Sequence, residues 1–544
     1  MNKNFLIAGA LLLTVGAAAQ DSTKKREVNV TSTFKPELKE AAKIKFNAAP
    51  PVADTSRPRL NYAIPNQNLN LAFLPGSLKP MALTVDTGGR FAMANYIKAG
   101  FGNLSTPFLQ AGISLGDGKT NGVNFYGKHV SSKGKIPYQK FGYTDFDVAG
   151  FFQNSSNGEW SGRLGTVLER YNKYGFQPDT LKFPEDSIKV QYRTVRGRIA
   201  YRNLSPTAWG LLYAPELKVD VFSDGLSNTE SNTWLHVPVS KIFTEQFSAK
   251  VALEASLGRY KPENRDAIAN NYFLLAPSLI FQKNGVVINA GVKPSWDNGS
   301  FHLLPNIHAE FGTAQKTVAV QAGWIGSYRN SGYQYLAGFN PWIWAPDSVY
   351  NTRITDAYAG AKGSIGSHFT YGVCIGSAKL HNQPLFVNDT ASGKSFRVTN
   401  ESSLNNTYIS GEMGYTYGER VSFNSSLRIN RFSKLEEHDK AFGLLPLEFT
   451  SRLRIQVMKD LYVTSDLFAF DGARYLTKGG DDRTQKGAVD LSAGMEFGVA
   501  KNIKVWAQFN NIFNKQYQRW NQYPVYGLNF LGGVVFSLAQ NSNK

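Results

Sequence analysis

Residues 489–499 read Val-Asp-Leu-Ser-Ala-Gly-Met-Glu-Phe-Gly-Val. In an extended chain successive side chains point to opposite faces. Val489, Leu491, Ala493, Met495, Phe497 and Val499 then share one face, and Asp490, Ser492, Gly494, Glu496 and Gly498 the other. The next segment repeats the arrangement, with Ile503, Val505, Ala507 and Phe509 against Lys504, Trp506, Gln508 and Asn510. Far upstream, Val251, Leu253, Ala255 and Leu257 oppose Lys250, Glu254 and Ser256, and Val421, Phe423, Leu427 and Ile429 oppose Ser422, Asn424, Arg428 and Asn430. Such period-two text means strands with one face on something apolar and the other on water. A soluble sandwich alternates too, but not over about 450 residues without a domain break.

Roughly 22 such segments fit between residues 91 and 540, and a tilted strand needs about 9–11 residues to cross a bilayer. Counts of 18, 20 or 22 satisfy the pattern, since single-chain bacterial barrels favour even numbers. Composition agrees. Of 544 residues 18% are charged, against about 25% in soluble domains, while 13% are aromatic and 50 are Gly. Past the extreme N-terminus there is no run of about 18 apolar residues, which excludes membrane-spanning helices. The expected fold is all-β: a single closed antiparallel transmembrane β-barrel over residues 91–540, both ends periplasmic, with a tail at 541–544. Lys283-Asn284-Gly285 and Tyr417-Gly418-Glu419 read as periplasmic turns, and 326–353, 380–404, 434–444, 473–486 and 514–525 as outer loops. The first of these loops holds Tyr328, Tyr333, Tyr335, Phe339, Trp342, Trp344 and Tyr350. Those rings either stack on a sugar or apolar ligand or pack the loop over the barrel mouth.

The chain opens with Lys3, an apolar core from Phe5 to Val15, and Ala17 and Ala19 at a small-residue cleavage site. This reads as a secretory signal of residues 1–19, with Gln20 or a near neighbour expected at the mature terminus. No Cys lies near that point, so lipidation is not expected. The single Cys374 allows no internal disulfide. Residues 20–90 carry seven of the 23 prolines (Pro36, Pro50, Pro51, Pro58, Pro65, Pro75 and Pro80) and little alternation. Pro resists strands, so this stretch reads as an extended arm that occludes the lumen or binds a partner. The formal net charge of +18 favours anionic contacts. Outer-membrane lipid and the phosphates of lipopolysaccharide fit an exported chain; nucleic acid does not, for want of a binding motif.

No catalytic constellation emerges. His129, His236, His302, His308, His368, His381 and His438 are scattered, and no H-E-x-x-H, G-x-S-x-G or phosphate loop occurs. His302 and His308 stand six residues apart, roughly 20 Å along a strand, too far to share a metal. Adjacent Asp481 and Asp482 after two glycines suit a turn better than calcium. The chain is read as no enzyme, with no cofactor and no metal. The run Lys189, Arg193, Arg196, Arg198 and Arg202 is more informative. Ile188, Val190 and Tyr192 set one apolar phase, and Val195, Ile199 and Tyr201 the other, which predicts a bulge near Thr194. Arg196, Arg198 and Arg202 then share the non-lipid face, either as an anion-selecting ladder or paired with carboxylates of neighbouring strands.

The C-terminal text, Asn510-Asn511-Ile512-Phe513-Asn514-Lys515-Gln516-Tyr517, a Tyr523-Pro524 loop and then Tyr526, Leu528, Phe530, Val534, Phe536 and Leu538 on one face, resembles the closing hairpin of TonB-dependent receptors. The segment Tyr96-Ile97-Lys98-Ala99-Gly100-Phe101-Gly102-Asn103, followed by Thr106-Pro107, is similar to a Bacteroidota group of such barrels. The resemblance implies an outer-membrane barrel of a Gram-negative bacterium, with Tyr526, Leu528, Phe530, Val534, Phe536 and Leu538 lipid-facing and read in assembly. It departs in having only about 70 residues before the first strand, hence a reduced or absent plug, and in extending past Phe536 and Leu538. Two functions follow: transport of a medium-sized solute, with TonB or a periplasmic or surface lipoprotein as partner, or a non-transporting accessory or scaffold barrel in an outer-membrane assembly or surface-protein export complex. Candidate ligand or lumen residues are Arg196, Arg198, Arg202, Tyr333, Tyr335, Trp342 and Trp344.

Overall fold

Alternation of the kind seen at 489–499 is realised as a wall one residue thick. Met495, Phe497, Val505, Phe509 and Phe536 stand exposed on its outside, while Ser492, Trp506, Gln508, Leu531 and Val535 are buried on its inside. The structure, a computed structural model, describes residues 95–155, 157–312, 317–389, 392–418, 420–477 and 479–538. The expected signal segment 1–19, the arm 20–90 and the tail 541–544 lie outside the described residues.

The strands form one closed antiparallel barrel of 22. The first, Asn95–Gly102, pairs with the last, Asn529–Leu538, from Asn95 opposite Leu538 to Gly102 opposite Leu531. One strand is broken: Leu211–Tyr213 and Glu216–Asp224 both pair with Thr229–Ile242. Pro215 lies in the break, where a residue without an N–H costs the ladder least.

The two rims differ. The rim carrying Asn95 and Leu538 has short connections, such as 284–285, 366–368 and 501–502. Asn284 and Gly285 both take positive φ, 47° and 83°, as a two-residue hairpin requires. The opposite rim carries long ones: 173–188, 332–349, 434–446, 471–487 and 511–528. The expected turn at 283–285 falls on the short rim, as do residues 417–418 of the other.

Two expectations need correction. No bulge occurs near Thr194. Lys189–Asn203 pairs with Gly158–Asn172 without a register shift, from Asn172 opposite Lys189 to Gly158 opposite Asn203. The apolar phase changes because the surroundings change: Tyr192 and Ile188 are buried inward against folded loops, whereas Ile199 is exposed on the outer wall. Residues 380–404 are also mostly strand, within Phe369–Asn388 and Phe396–Tyr417. These two strands, 20 and 22 residues long, project past the long rim. There Leu385 packs on Ala441 and Phe442, and Phe386 packs into the loop core. With both faces covered, alternation vanishes from the sequence.

A candidate functional site at the loop-closed mouth

The connection 332–349 carries the short helix Tyr333–Phe339 and does not stand out into solvent. Glu230, buried on the inner wall, accepts the Gln334 N–H at 2.5 Å, placing a carboxylate where the first turn leaves its donors free. Tyr333 is buried against Phe222, Tyr260 and Tyr192 and donates its hydroxyl to Asp224 at 2.8 Å. Tyr192 and Tyr260 reach up from the wall to donate to the carbonyls of Pro341 and Pro346, at 2.8 and 3.0 Å. Further on, the Trp342 carbonyl accepts from the Phe396 N–H at 3.0 Å, and the Phe396 carbonyl from the Trp344 N–H at 2.9 Å. The loop thus crosses the mouth and is fixed on both sides.

Its partners come from other loops. The Trp342 indole stacks on Tyr523 with centroids 4.0 Å apart and planes 18° from parallel. Tyr174 meets both rings edge-on. Phe339 packs on Phe386 and Trp520. Aromatic pairs in these geometries add about 0.5–1.5 kcal/mol each beyond their burial. Tyr335 is half-buried beneath the Arg329 guanidinium, 5.3 Å away, and Trp344 remains exposed, with Lys173 Nζ 4.5 Å from its ring. Of the four rings named as ligand or lumen candidates, Tyr333, Tyr335 and Trp342 lie in the packing.

Lys394 ties the loops together. It is buried, at 4% exposure, and donates to the carbonyls of Tyr174 (2.9 Å), Gly175 (2.6 Å) and Gln522 (3.2 Å). The Tyr523 hydroxyl donates to the carbonyl of Lys394 at 2.5 Å. Burial lowers the pKa of the ammonium to about 8, because leaving water disfavours the charged form. Arg519, also buried, donates to the Gly443 carbonyl at 2.9 Å and lies 4.3 Å from the Trp520 ring. Burial pushes it down to about 10, so it stays charged at neutral pH. Buried Glu401 accepts the backbone N–H groups of Glu436, Glu437 and His438, at 2.6, 2.9 and 3.0 Å, and holds loop 434–446 in the same way. None of these fastenings had a signal in the sequence, since each joins residues far apart in the chain.

Below the loops the inner wall is polar. Arg196 pairs with Asp145 at 2.7 Å and with Asp147, which Arg163 also contacts at 2.7 Å. Arg198 meets Glu216 at 2.6 Å, and Arg202 meets Glu159 at 2.7 Å. All three arginines face inward; Arg198 and Arg202 each meet a carboxylate on an adjacent strand, and Arg196 reaches across Gly158–Asn172 to two on Lys140–Asn154. His302 and His308 both lie on Ser300–Gly312 and turn to different partners, Arg353 and Tyr358.

Between the loop core and the wall near the junction of the first and last strands lies a cavity of about 130 Å3. Trp342, Tyr523 and Tyr526 line its loop side, and Asp490, Ser492 and Gln508 its wall side. Tyr526 therefore differs from the lipid-facing residues with which it was grouped. The strand starts only at Asn529, so Tyr526 packs inward on the loop core. Leu528, Phe530, Phe536 and Leu538 are exposed on the outside, and Val534 is half-buried there.

No protein-family model matches the chain, and no curated protein matches it. Solved structures do. The FrpB iron transporter from Neisseria meningitidis superposes with a TM-score of 0.61 at 12% identity, over 82% of this chain and 81% of that one. The siderophore receptor PirA from Acinetobacter baumannii gives 0.62 at 9% identity, over 82% and 80%. FpvA of P. aeruginosa, bound to heterologous pyoverdines, gives 0.59 at 8% identity, over 82% and 71%. At such identities the likeness is one of fold: this chain shares the 22-strand barrel of iron and siderophore receptors.

Proposed function

We propose that the chain is an outer-membrane barrel of the TonB-dependent-receptor type that passes a medium-sized solute, its outer mouth closed at rest by its own loops. The observation that carries this reading is the contrast between a polar, charge-lined lumen and a mouth sealed by an aromatic core. A polar lumen suits hydrated cargo. A 22-strand barrel is wide enough to need a stopper, and the loop core at 332–349, 392–395 and 511–528 is suited to be one. The outward apolar wall suits a bilayer, and the fold shared with an iron transporter and siderophore receptors favours the outer membrane of a Gram-negative bacterium. On this reading the arm 20–90 stands in for a reduced plug and meets TonB or a lipoprotein, and the protein does no chemistry of its own.

The buried, mutually packed rings of the cap favour a second reading, a sealed accessory or scaffold barrel. Planar-bilayer conductance separates the two. The full chain is compared with a variant whose residues 333–345 are replaced by a short Gly-Ser linker. Transport predicts a mostly closed wild type and a stable large conductance in the variant. If both insert normally and neither conducts, the barrel is sealed by something other than its loops and the scaffold reading replaces transport.

A further inference from the structure

Between two strands the barrel wall parts. Ser300–Gly312 and Val318–Ser331 pair from Gly312 opposite Ala319 only as far as Asn306 opposite Ile325. Both strands run on. Ser300–Gly312 stays paired on its other side up to Ser300 opposite Asp297, and Val318–Ser331 up to Ser331 opposite Tyr350. Residues 300–305 and 326–331 are therefore not joined to each other, and Pro305, which has no N–H to give, stands where the ladder stops. Past that point the ribbon of 326–331 with 350–355 turns into the barrel. Tyr328 stacks on Tyr272 with centroids 5.1 Å apart, and Asn330 donates to Asn232 and Ser256 at 3.0 and 3.3 Å. These partners belong to strands further round the wall, Ile268–Lys283, Thr229–Ile242 and Phe247–Lys261.

The parting opens within the apolar band. Seven pairs join the two strands below it, where a crossing takes about 9–11 residues. Beyond it Leu303 and Phe301 are still exposed on the outer face, at 62% and 57%, as Ile307 and Trp324 are before it. An open strand edge is not tolerated against lipid; at this depth such backbone persists only where protein covers it or where it lines a water-filled cavity. Lys293 reaches past Ser300–Gly312 to donate to the Gly326 carbonyl at 2.8 Å. Directly behind lies an apolar patch, Ala252, Tyr272, Leu274, Ala276, Leu304 and Tyr328, buried against one another. Elsewhere the inner wall carries the ion pairs of Arg196, Arg198 and Arg202. Apolar side chains thus run without interruption from the lipid face, through the parting, to the inside.

We propose that the parting between Ser300–Gly312 and Val318–Ser331 is a lateral portal through which an amphiphile with a single acyl chain passes between the outer leaflet and the lumen. The acyl chain slides over Leu303 and Leu304 onto the patch at Leu274 and Tyr328. Its polar head meets Lys293 and Arg353, which stand at the inner margin. Such a molecule fits because both sides of the parting are apolar and the lumen beyond is polar. A hydrated solute finds no partner in the parting, and a wholly apolar one finds none past it. Tyr328 fills the patch at rest, so passage requires the ribbon that carries the cap to lift. This rests on the bilayer reading above and adds a second route, with a second class of cargo, to it.

The test irradiates the full chain in phosphatidylcholine vesicles with hexadecanoic acid bearing a terminal diazirine, and maps the labelled residues by peptide mass spectrometry. Expected are labels on inward Leu274, Leu304 or Tyr328 as well as on outward Leu303 and Trp324, the inward ones falling at least fivefold under an excess of unlabelled hexadecanoate. Labels confined to outward residues, or inward labels that the excess leaves unchanged, overturn the proposal. A Cβ at Gly326 would stand 2.5 Å from the Leu304 Cβ, so Leu304→Cys with Gly326→Cys closes a disulfide once the strands give by about 1 Å. Inward labelling should drop at least fivefold in the oxidised form and return on reduction. Equal labelling of the two forms places the route elsewhere and overturns the proposal too. Carbonate extraction keeps the two readings apart: a chain that resists extraction yet takes no inward label sinks only this inference, whereas one that washes off sinks the bilayer reading with it.

Discussion

The Trp506 indole donates to the Ala99 carbonyl at 3.2 Å, reaching over the last strand to the first. Trp506 lies opposite Gly533, Gly533 opposite Gly100, and Gly100 opposite Phe108. The indole lies across the two glycines and meets the Phe108 ring edge-on at 5.1 Å, with Lys98 Nζ 4.5 Å from its centroid. A Cβ at Gly100 would run into the indole. The glycines are thus the space that lets one side chain clasp the junction where the barrel closes.

Trp506→Ala should therefore weaken closure by about 3–5 kcal/mol, the usual cost of deleting a buried aromatic. Trp506→Phe, which keeps a ring and loses the donor, should cost clearly less. The midpoint temperature of heat-modifiable migration in SDS gels checks the order. Equal midpoints for wild type and Trp506→Ala would show that the junction is held by its backbone ladder alone.

Placing a charge on the outer wall near the same junction should impair insertion. Phe536 is 45% exposed, facing outward two residues from the short-rim end of its strand, and Lys or Arg on this face costs about 2–4 kcal/mol at the bilayer midplane, falling to about 0–1 at an interface. Phe536→Lys should lower the outer-membrane yield of folded protein. Spin labels at Phe497, Val505 and Phe509 should report lipid, and labels at Asp490 and Glu496 water. The opposite assignment would mean a register wrong by one residue.

Lys394 gives the cap a pH dependence with a definite sign. Its folded pKa of about 8 lies below that of an unfolded lysine, so between about 8 and 10.5 the open chain binds more protons than the closed one. Closure should strengthen as pH rises through this window, and be weakest below it, where the buried ammonium carries its full desolvation cost. Protease protection of loop 389–395 between pH 7 and 10 measures this. Lys394→Met should flatten the profile; a wild-type profile that falls with pH would contradict the assignment.

Arg196 holds two carboxylates at once. Arg196→Gln leaves Asp145 and Asp147 side by side with Arg163 and, beside Asp145, Lys128 as remaining cations. A loss of about 1.5–3 kcal/mol is expected, the range for hydrogen bonds to charged groups. Adding Asp145→Asn should recover part of it. Denaturant unfolding of the two variants decides the matter, and additive losses would show that the groups act independently.

The wall was legible in the sequence wherever lipid lies on one side and a polar lumen on the other, as at 489–499 and 503–510. It stopped being legible where the strands leave the membrane. Tyr192 faces inward like Arg196, yet it is apolar because a loop core covers it there, and period alone cannot separate a change of surroundings from a bulge. Leu385 and Phe386 are apolar in succession for the same reason. The cap was beyond reach for a different cause: its bonds run from Lys394 to Gly175, and from Glu230 to Gln334, and no local pattern encodes such partners. Composition did show that loop 326–353 was aromatic, without showing what the rings would meet.

The three acceptors of the Lys394 amine belong to chain segments 128 to 220 residues away from it. Two lie just after the fifth strand of the barrel and one just before the twenty-second. A chain entering the bilayer a hairpin at a time has no complete set of acceptors for this amine until its final strand arrives. Full pairing of the amine therefore waits on a finished wall, so accessibility of Lys394 to an amine-reactive probe would time-stamp the completion of assembly.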